Sequence, residues 1–268
     1  MNIFNLKIFL YVFIIMKLYI INAPFDNWKF HLYNNFYVKY IENYHDLDKS
    51  SDYKIIPICQ NDFVRYTSKE LLFTNDTTIV NILNNKGLFA KFMMQYFNEY
   101  IPKTIYFNVN DKEIYDSKIT LQKMIQKPTL GYASQNTKII NEITKNKNIV
   151  VSECIIHDVI YVGHFLFVNN TLIDKIYFYK NINKNCIYKG LIRQYKVCNE
   201  LFCDDGIFIE IFKKLGYSGF SCIDFTICNN KIYIFEINPR IGGSLIFNIK
   251  YLNKFLYSLV SNIKLCIE

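Results

Sequence analysis

An α+β fold is predicted for this chain from three observations. Short apolar segments separated by turn residues recur through the C-terminal half, as expected for strands. Segments with the apolar spacing of amphipathic helices lie between them. Hydrophobic residues make up 51% of the 268 residues, a composition that excludes a disordered chain and is sufficient for a large core.

The N-terminal part mixes both kinds of element. Short apolar strands are expected at 17–22 and 54–59, with a helix over 36–44 between them. Residues 1–84 are therefore interpreted as an N-terminal extension followed by a small α/β domain. The run 8–16 is uncharged and apolar, but nine residues are too few to span a bilayer. Membrane association through this run is the less favoured interpretation, and Met1 and Met16 both remain possible starts.

The remainder of the chain begins with a helix and continues mainly as strands. One apolar stripe predicts a helix over 85–100, and Pro102 follows its end. A polar, turn-rich loop is expected at 130–137. The expected strands are 149–156, 161–168, 172–179, 220–228 and 232–238. The expected helices in this part are 199–215, closed by Gly216, and 247–263.

The segment 232–245 carries the strongest chemical signal. Side chains in an extended strand alternate between faces, so Glu236 and Asn238 point the same way. Two hard oxygen donors on one face suit a Mg²⁺ ion that also holds phosphates. Arg240, one of only three arginines, follows directly, and so does a pair of adjacent glycines in a chain that has only nine. This clustering indicates a functional site.

The register of the last hairpin decides whether a third oxygen ligand joins this face. A two-residue loop at Asn229–Asn230 would place Asp224 opposite Phe235, whereas a loop longer by one residue would place it opposite Glu236. Asparagine tolerates the left-handed backbone that such a loop needs. We therefore predict an odd-length loop or a bulge, with Asp224, Glu236 and Asn238 in one oxygen-rich patch.

The charge and the cysteines narrow the possible partners. The formal net charge of +8 fits an anionic small substrate, and no block of basic residues interleaved with aromatic residues indicates a nucleic-acid partner. The eight cysteines contain no C-x-x-C pair, so reduced thiols of a cytoplasmic protein are expected rather than a zinc site. The oligomeric state is not predicted.

These motifs together resemble the ATP-grasp superfamily, in particular its carbamoyl-phosphate-synthetase-like and biotin-carboxylase-like members. The sequence EINPRIGGS at 236–244 is similar to the family's last metal-binding motif, and Asp224 matches the acidic residue about twelve positions earlier. Three upstream segments agree in order and spacing. They are Asn85-Lys86-Gly87-Leu88-Phe89, Lys127-Pro128 with Gly131 and Ser134, and Ser152-Glu153-Cys154-Ile155-Ile156.

The resemblance covers roughly residues 85–264 and implies an ATP-grasp fold. Two α+β lobes, about 85–150 and 151–268, would clamp ATP after the short α/β N-terminal domain. The implied ATP-binding residues are Lys86 (with Lys91 as its substitute), Lys127 and Ser134 for the phosphates, and Glu153, Ile156 and Asp158 for adenine and ribose. The implied ligands of Mg²⁺ or Mn²⁺ are Asp224, Glu236 and Asn238. Arg240 would be catalytic, stabilising the transferring phosphoryl group or an acyl phosphate.

The function implied is that of an ATP- and Mg²⁺-dependent ligase. It would join a small-molecule carboxylate to an amine, or to a thiol, through an acyl phosphate. The alternative is a catalytically degenerate ATP-binding homologue with a regulatory or binding role. That alternative is favoured by the phosphate loop, which has Gly131 alone where the family usually has two or three glycines, and Asn136 where a glycine is common.

Overall fold

The computed structural model describes most of the chain as three sheets and their helices. The described residues are 16–21, 26–33, 37–49, 52–59, 61–73, 75–107, 113–114, 123–131, 136–143, 148–185, 195–199, 201 and 204–262. The strands are β1 (Met16–Ile21), β2 (Lys39–Ile41), β3 (Asp52–Ile55), β4 (Thr104–Phe107), β5 (Glu113–Ile114), β6 (Met124–Pro128), β7 (Lys138–Ile140), β8 (Ile149–Glu153), β9 (His157–Val168), β10 (Thr171–Asn185), β11 (Lys196–Cys198), β12 (Gly219–Cys228) and β13 (Lys231–Asn238). The α-helices are α1 (Asp26–Tyr33), α2 (Asp62–Arg65), α3 (Thr77–Asn84), α4 (Lys86–Tyr96), α5 (Gly206–Leu215), α6 (Gly243–Ile246) and α7 (Ile249–Ser261), with 3₁₀ turns at Tyr44–Asp46 and Asn98–Tyr100.

The first sheet is parallel, with strand order β2-β1-β3. The helix between its first two strands is α1, so the helix predicted over 36–44 is wrong. Tyr40 and Ile41 of β2 are both buried although they point to opposite faces. A parallel strand covered on both sides lacks the polar alternation that identifies a strand, and its apolar run was mistaken for a helix.

The second and third sheets are antiparallel. Their strand orders are β5-β4-β8-β6-β7 and β11-β10-β9-β12-β13. The third sheet is the centre of the molecule because both of its faces are buried. One face packs on the helices α4 and α5 through Phe165, Phe167, Phe208, Phe212 and Phe225. The other packs on the first sheet, α1 and α7 through Leu166, Phe178, Phe220, Trp28 and Leu256.

The predicted helices of the larger part of the chain are present with altered ends. Helix α4 begins after Asn85, whose side chain caps it, and it ends before the 3₁₀ turn. Helix α5 ends at Leu215 and is followed by Gly216 in the left-handed conformation, as predicted. It begins at Gly206 rather than at 199, because residues just before that point pair with β10 as strand β11.

The thiol prediction is only partly correct. Cys59, Cys198, Cys222 and Cys228 are not disulfide-bonded, as expected. Cys154 is disulfide-bonded, so the prediction of reduced thiols is wrong for it. In the part of the chain that the structure describes, no helix combines the length and the apolar character needed to cross a membrane. Residues 8–15 of the apolar N-terminal run lie outside the described residues.

Candidate active site

The hairpin β12–β13 places two carboxylates opposite each other. Its loop is the two-residue turn Asn229–Asn230, both with positive φ, so the three-residue alternative is wrong. A bulge at Phe235 shifts the register, and Asp224 pairs with Glu236 as the bulge alternative predicted. Asn238 donates from Nδ2 to Glu236 Oε1 at 3.2 Å. The three predicted metal ligands therefore share one face of the third sheet.

The electrostatics of this pair follow from burial and from the neighbouring lysines. Burial, together with the facing carboxylate of Glu236, raises the pKa of Asp224 to about 8. Burial also acts to raise the pKa of Glu236, but the positive charges of Lys86 and Lys127 outweigh it and hold that pKa at about 2. Burial and the facing carboxylate thus act against charge on Asp224, whereas the two lysines favour the charged form of Glu236.

Lys86 connects the hairpin to the predicted phosphate loop. Its Nζ lies 3.3 Å from Glu236 Oε2 and donates a hydrogen bond to the Gly131 carbonyl at 2.8 Å. The start of α4 fixes the position of Lys86. Asn85 Oδ1 caps the helix by accepting from the amides of Gly87 and Leu88, and the Lys86 amide donates to the Thr129 carbonyl at 2.8 Å. The lysine predicted to contact phosphates thus lies directly beside the predicted metal ligands.

Lys127 reaches the same cluster from the second sheet. It lies on β6, with Nζ 5.5 Å from the ring centroid of Phe235. Burial lowers the pKa of Lys127, while the carboxylates of Glu236 and Asp224 oppose that shift. Strict strand alternation would place Phe235 on the face opposite Glu236. The bulge instead places it beside Lys127, and its ring also lies 5.3 Å from that of His157.

Arg240 lies at the end of the hairpin strand, on the turn that follows Asn238. Its Nη2 donates to Asn238 Oδ1 at 3.3 Å, and its Nη1 donates to the Ile241 carbonyl at 3.2 Å. Its Cζ is 6.0 Å from the ring centroid of Trp28 on α1. Sequence reasoning missed Trp28 because no local pattern connects the two segments.

The glycine at 242 is required by close approach. An added Cβ would lie 2.5 Å from Cys222 Sγ and 2.8 Å from His164 Cε1, which is closer than such atoms can come. His164 Nε2 lies 2.7 Å from Ser244 Oγ. Burial, with a further contribution from Arg240, lowers the pKa of His164 to about 3, so this imidazole is neutral. Cys222 of β12 pairs with His164 of β9, so the histidine side chain lies on the same face of the third sheet as Asp224.

The hinge between β8 and β9 is built differently. Glu153 Oε1 accepts a hydrogen bond from the Lys103 amide at 2.9 Å, and the Glu153 amide donates to the Lys103 carbonyl. Ile156 is 56% exposed, and Asp158 is exposed at the start of β9. This part of the predicted site is therefore an exposed strand edge at which one carboxylate, that of Glu153, is held by a backbone amide.

The structure thus gathers part of the predicted site into one cluster. The residues brought together are Lys86, Lys127, Asp224, Glu236, Asn238 and Arg240. Glu153, Ile156 and Asp158 lie along the hinge, and Ser134 falls outside the described residues. Lys91, the substitute for Lys86, is exposed on α4.

The donor set fits a divalent cation. Among the described residues, no group of three or more His, Cys, Asp and Glu side chains is arranged to hold a metal. The predicted set has two carboxylates and one carboxamide, all hard oxygen donors of the kind that Mg²⁺ takes. Burial first, and then repulsion by the facing carboxylate of Glu236, raise the pKa of Asp224. A cation bound by both would relieve this repulsion.

A family model described as "ATP-grasp domain" matches residues 83–244, more than half of the chain. The chain belongs to the ATP-grasp family. The match includes the whole cluster and the hinge and begins after the first sheet. No curated protein sequence matches this chain.

Solved structures with the same fold are distant in sequence. D-alanine–D-alanine ligase from Bacillus anthracis has a TM-score of 0.58 at 13% identity, covering 94% of this chain and 96% of that chain. Phosphoribosylamine–glycine ligase from Thermotoga maritima has a TM-score of 0.63 at 12% identity, covering 92% of this chain and 75% of that chain. L-amino acid ligase from Bacillus licheniformis has a TM-score of 0.52 at 13% identity, covering 92% of this chain and 74% of that chain. At these identities the similarity shows the ATP-grasp fold alone.

Proposed function

We propose that this protein is an ATP- and Mg²⁺-dependent ligase that joins a small-molecule carboxylate to an amine, or to a thiol, through an acyl phosphate. The observation that carries the proposal is the convergence of cations on a carboxylate pair. Lys86 and Lys127 arrive from separate elements, and Arg240 follows the strand that bears Glu236. Anions of high charge density, such as the phosphates of a nucleotide, suit such a cluster.

The proposed nucleotide contacts are those that the resemblance to the ATP-grasp family implies. The proposed phosphate contacts are Lys86, Lys127 and Ser134, and the proposed adenine and ribose contacts are at Ile156 and Asp158. Glu153 anchors the adenine side through its hydrogen bond to the Lys103 amide, which fixes the end of β8. The exposed edge at Ile156 leaves room for a flat base.

The metal is proposed to be Mg²⁺ or Mn²⁺, held by Asp224, Glu236 and Asn238. When bound, it would neutralise charge on the β- and γ-phosphates. The two carboxylates contribute to metal binding by their spacing, because the register of β12 against β13 sets them side by side. Asn238 orients Glu236 through the hydrogen bond from its amide.

The proposed reaction has two steps. An oxygen of the substrate carboxylate attacks the γ-phosphorus, which releases ADP and forms the acyl phosphate. The amine then attacks the acyl carbon, phosphate leaves, and the amine loses a proton to give the amide. Arg240 stabilises the charge on the transferring group through its planar fork.

A degenerate ATP-binding homologue is the second candidate, because the phosphate loop has a single glycine. The structure reduces the weight of that observation, since Asn136 adopts a φ of 56° and so takes the left-handed conformation that a glycine commonly supplies. We propose the cytoplasm as the location, where ATP and Mg²⁺ are available.

The proposal is tested by ADP release from Mg²⁺–ATP with a panel of small carboxylates and amines. We expect release that requires one acid and one amine together, and that is lost in Asn238→Ala. Lys91→Ala is the matched control and should retain the activity because this lysine is exposed on α4. Binding of Mg²⁺–ATP without ADP release for any pair would favour the degenerate homologue, and no ATP binding at all would reject both.

A further inference from the structure

The only tryptophan of the chain lies against the arginine of the candidate active site. Trp28 belongs to α1, between the first two strands of the parallel sheet, and only 2% of it is exposed. The ring centroid is 6.0 Å from Arg240 Cζ. Because the family match begins at residue 83, this aromatic residue comes from a part of the chain that the ATP-grasp model does not include.

The indole also contacts the backbone just after the arginine. A Cβ added to Gly243 would lie 3.2 Å from Trp28 Cζ2 and 3.5 Å from Nε1, so the ring fits directly against the glycine. One turn further along α1, His31 lies edge-on to Phe247 at 5.5 Å. Two ring contacts therefore fix α1 against the segment that follows Arg240.

The hydrogen bonds of Arg240 explain why such a surface is needed. Among the described residues, its side chain donates to Asn238 Oδ1 and to the Ile241 carbonyl, both within two residues of Arg240 in the chain and both beyond 3.1 Å. Hydrogen bonds to such close neighbours in the chain do not hold the guanidinium against another element. A buried indole from another element supplies a rigid face on which a guanidinium can lie.

We infer that Trp28 is a positioning residue that holds the Arg240 guanidinium toward the transferring phosphoryl group. This inference rests on the proposed function, in which Arg240 acts on that group. It assigns the N-terminal α/β part of the chain a role in the chemistry that acts through Arg240. A Cβ at 243 would require the indole to shift by a few tenths of an ångström.

A first test needs no nucleotide. The chain has three arginines, so their side-chain N–H resonances can be resolved by NMR on the full chain labelled with ¹⁵N. The indole ring current should shift the Arg240 guanidinium signals. We expect the shift to disappear in Trp28→Leu and to be partly retained in Trp28→Phe, while Arg65 signals stay unchanged. Arg240 signals that do not move in Trp28→Leu would overturn the contact.

A second test measures the consequence for phosphoryl transfer. Mg²⁺–ADP with aluminium fluoride is the probe for the transferring group, and Mg²⁺–ATP is the reference. We expect Trp28→Leu to weaken analogue binding about tenfold and ATP binding no more than about twofold, with Trp28→Phe restoring most of the difference. Equal loss for both ligands, together with a lower melting temperature, would indicate a structural role only and would overturn the inference.

The two tests separate this inference from the proposed function. A wild-type protein that binds neither probe refutes ATP-dependent chemistry, and the NMR signals then decide the Trp28–Arg240 contact alone. A wild-type protein that binds both, with Trp28→Leu behaving identically, refutes the positioning role and leaves the proposed function standing.

Discussion

The hairpin side and the hinge side of the candidate site are built on different principles. On the hairpin side, Asp224 and Glu236 face each other by strand register, and their side chains share a half-buried cluster with two lysines. On the hinge side, Glu153 binds a backbone amide and Ile156 faces solvent. The hairpin side is therefore organised to carry charge, whereas the hinge side is an exposed strand edge with one carboxylate held by a backbone amide.

The comparison predicts that two glutamates contribute unequally to nucleotide binding. We expect Glu236→Gln to lower Mg²⁺-dependent ATP affinity on the order of 100-fold, because it removes a ligand charge from the proposed metal set. We expect Glu153→Gln to change the affinity less than about threefold, because the amide oxygen can still accept from the Lys103 amide. Isothermal titration calorimetry with and without Mg²⁺ measures both.

Melting temperatures of the two variants are the control for folding. Equal losses of affinity in both glutamate variants would remove the distinction between the two sides. An unchanged affinity in Glu236→Gln would refute the assignment of Glu236 as a metal ligand.

The two sides also differ in how much of their structure could be predicted from the sequence. The pairing of Asp224 with Glu236 was predictable because strand period and the distance along the chain restrict the possible registers. Of the two predicted alternatives, the structure has the bulge, at Phe235, and it pairs the two carboxylates across a two-residue loop. Neither the brace from Glu153 to Lys103 nor the contact of Trp28 with Arg240 was predictable, since each depends on tertiary packing between segments without a shared pattern.

A second prediction concerns how tightly each side is packed. We expect Gly242→Ala to lower the free energy of unfolding by roughly 2–3 kcal/mol, because its Cβ would overlap the buried side chains of Cys222 and His164. Ile156→Ala on the hinge should change it by less than about 0.5 kcal/mol because that side chain is mostly exposed. Urea unfolding followed by circular dichroism gives both values.

Gly206→Ala is the matched control for the glycine substitution. The atom nearest to its added Cβ would be Oδ1 of Asp204, at 3.1 Å, and this side chain is exposed although it accepts a hydrogen bond from the Gly206 amide. A stability loss in Gly206→Ala as large as that in Gly242→Ala would show that close packing is not the reason for the glycine at 242.

The smallest expected effect distinguishes two histidines by their response to acid. Burial, helped by Arg240, lowers the pKa of His164 to about 3, whereas the lowering at His157 by burial is opposed by its bond to the Ile155 carbonyl. The imidazole takes up a proton near pH 6.5 in the unfolded chain, whereas His164 in the folded protein does not. The free energy of unfolding is therefore highest above that pH and declines as the pH falls toward 3. Between pH 7 and pH 5 this linkage removes about 2 kcal/mol.

We therefore expect His164→Asn to flatten the decline in unfolding free energy between pH 7 and pH 5, even though its stability at pH 7 is lower. His157→Asn should flatten it less, and His45→Asn should leave it unchanged because His45 is exposed. Denaturant unfolding at several pH values measures the slopes. A slope in His164→Asn equal to that of the wild type would mean that the buried imidazole beside Arg240 takes up a proton in the folded state, and that the hairpin side tolerates an additional positive charge next to its arginine.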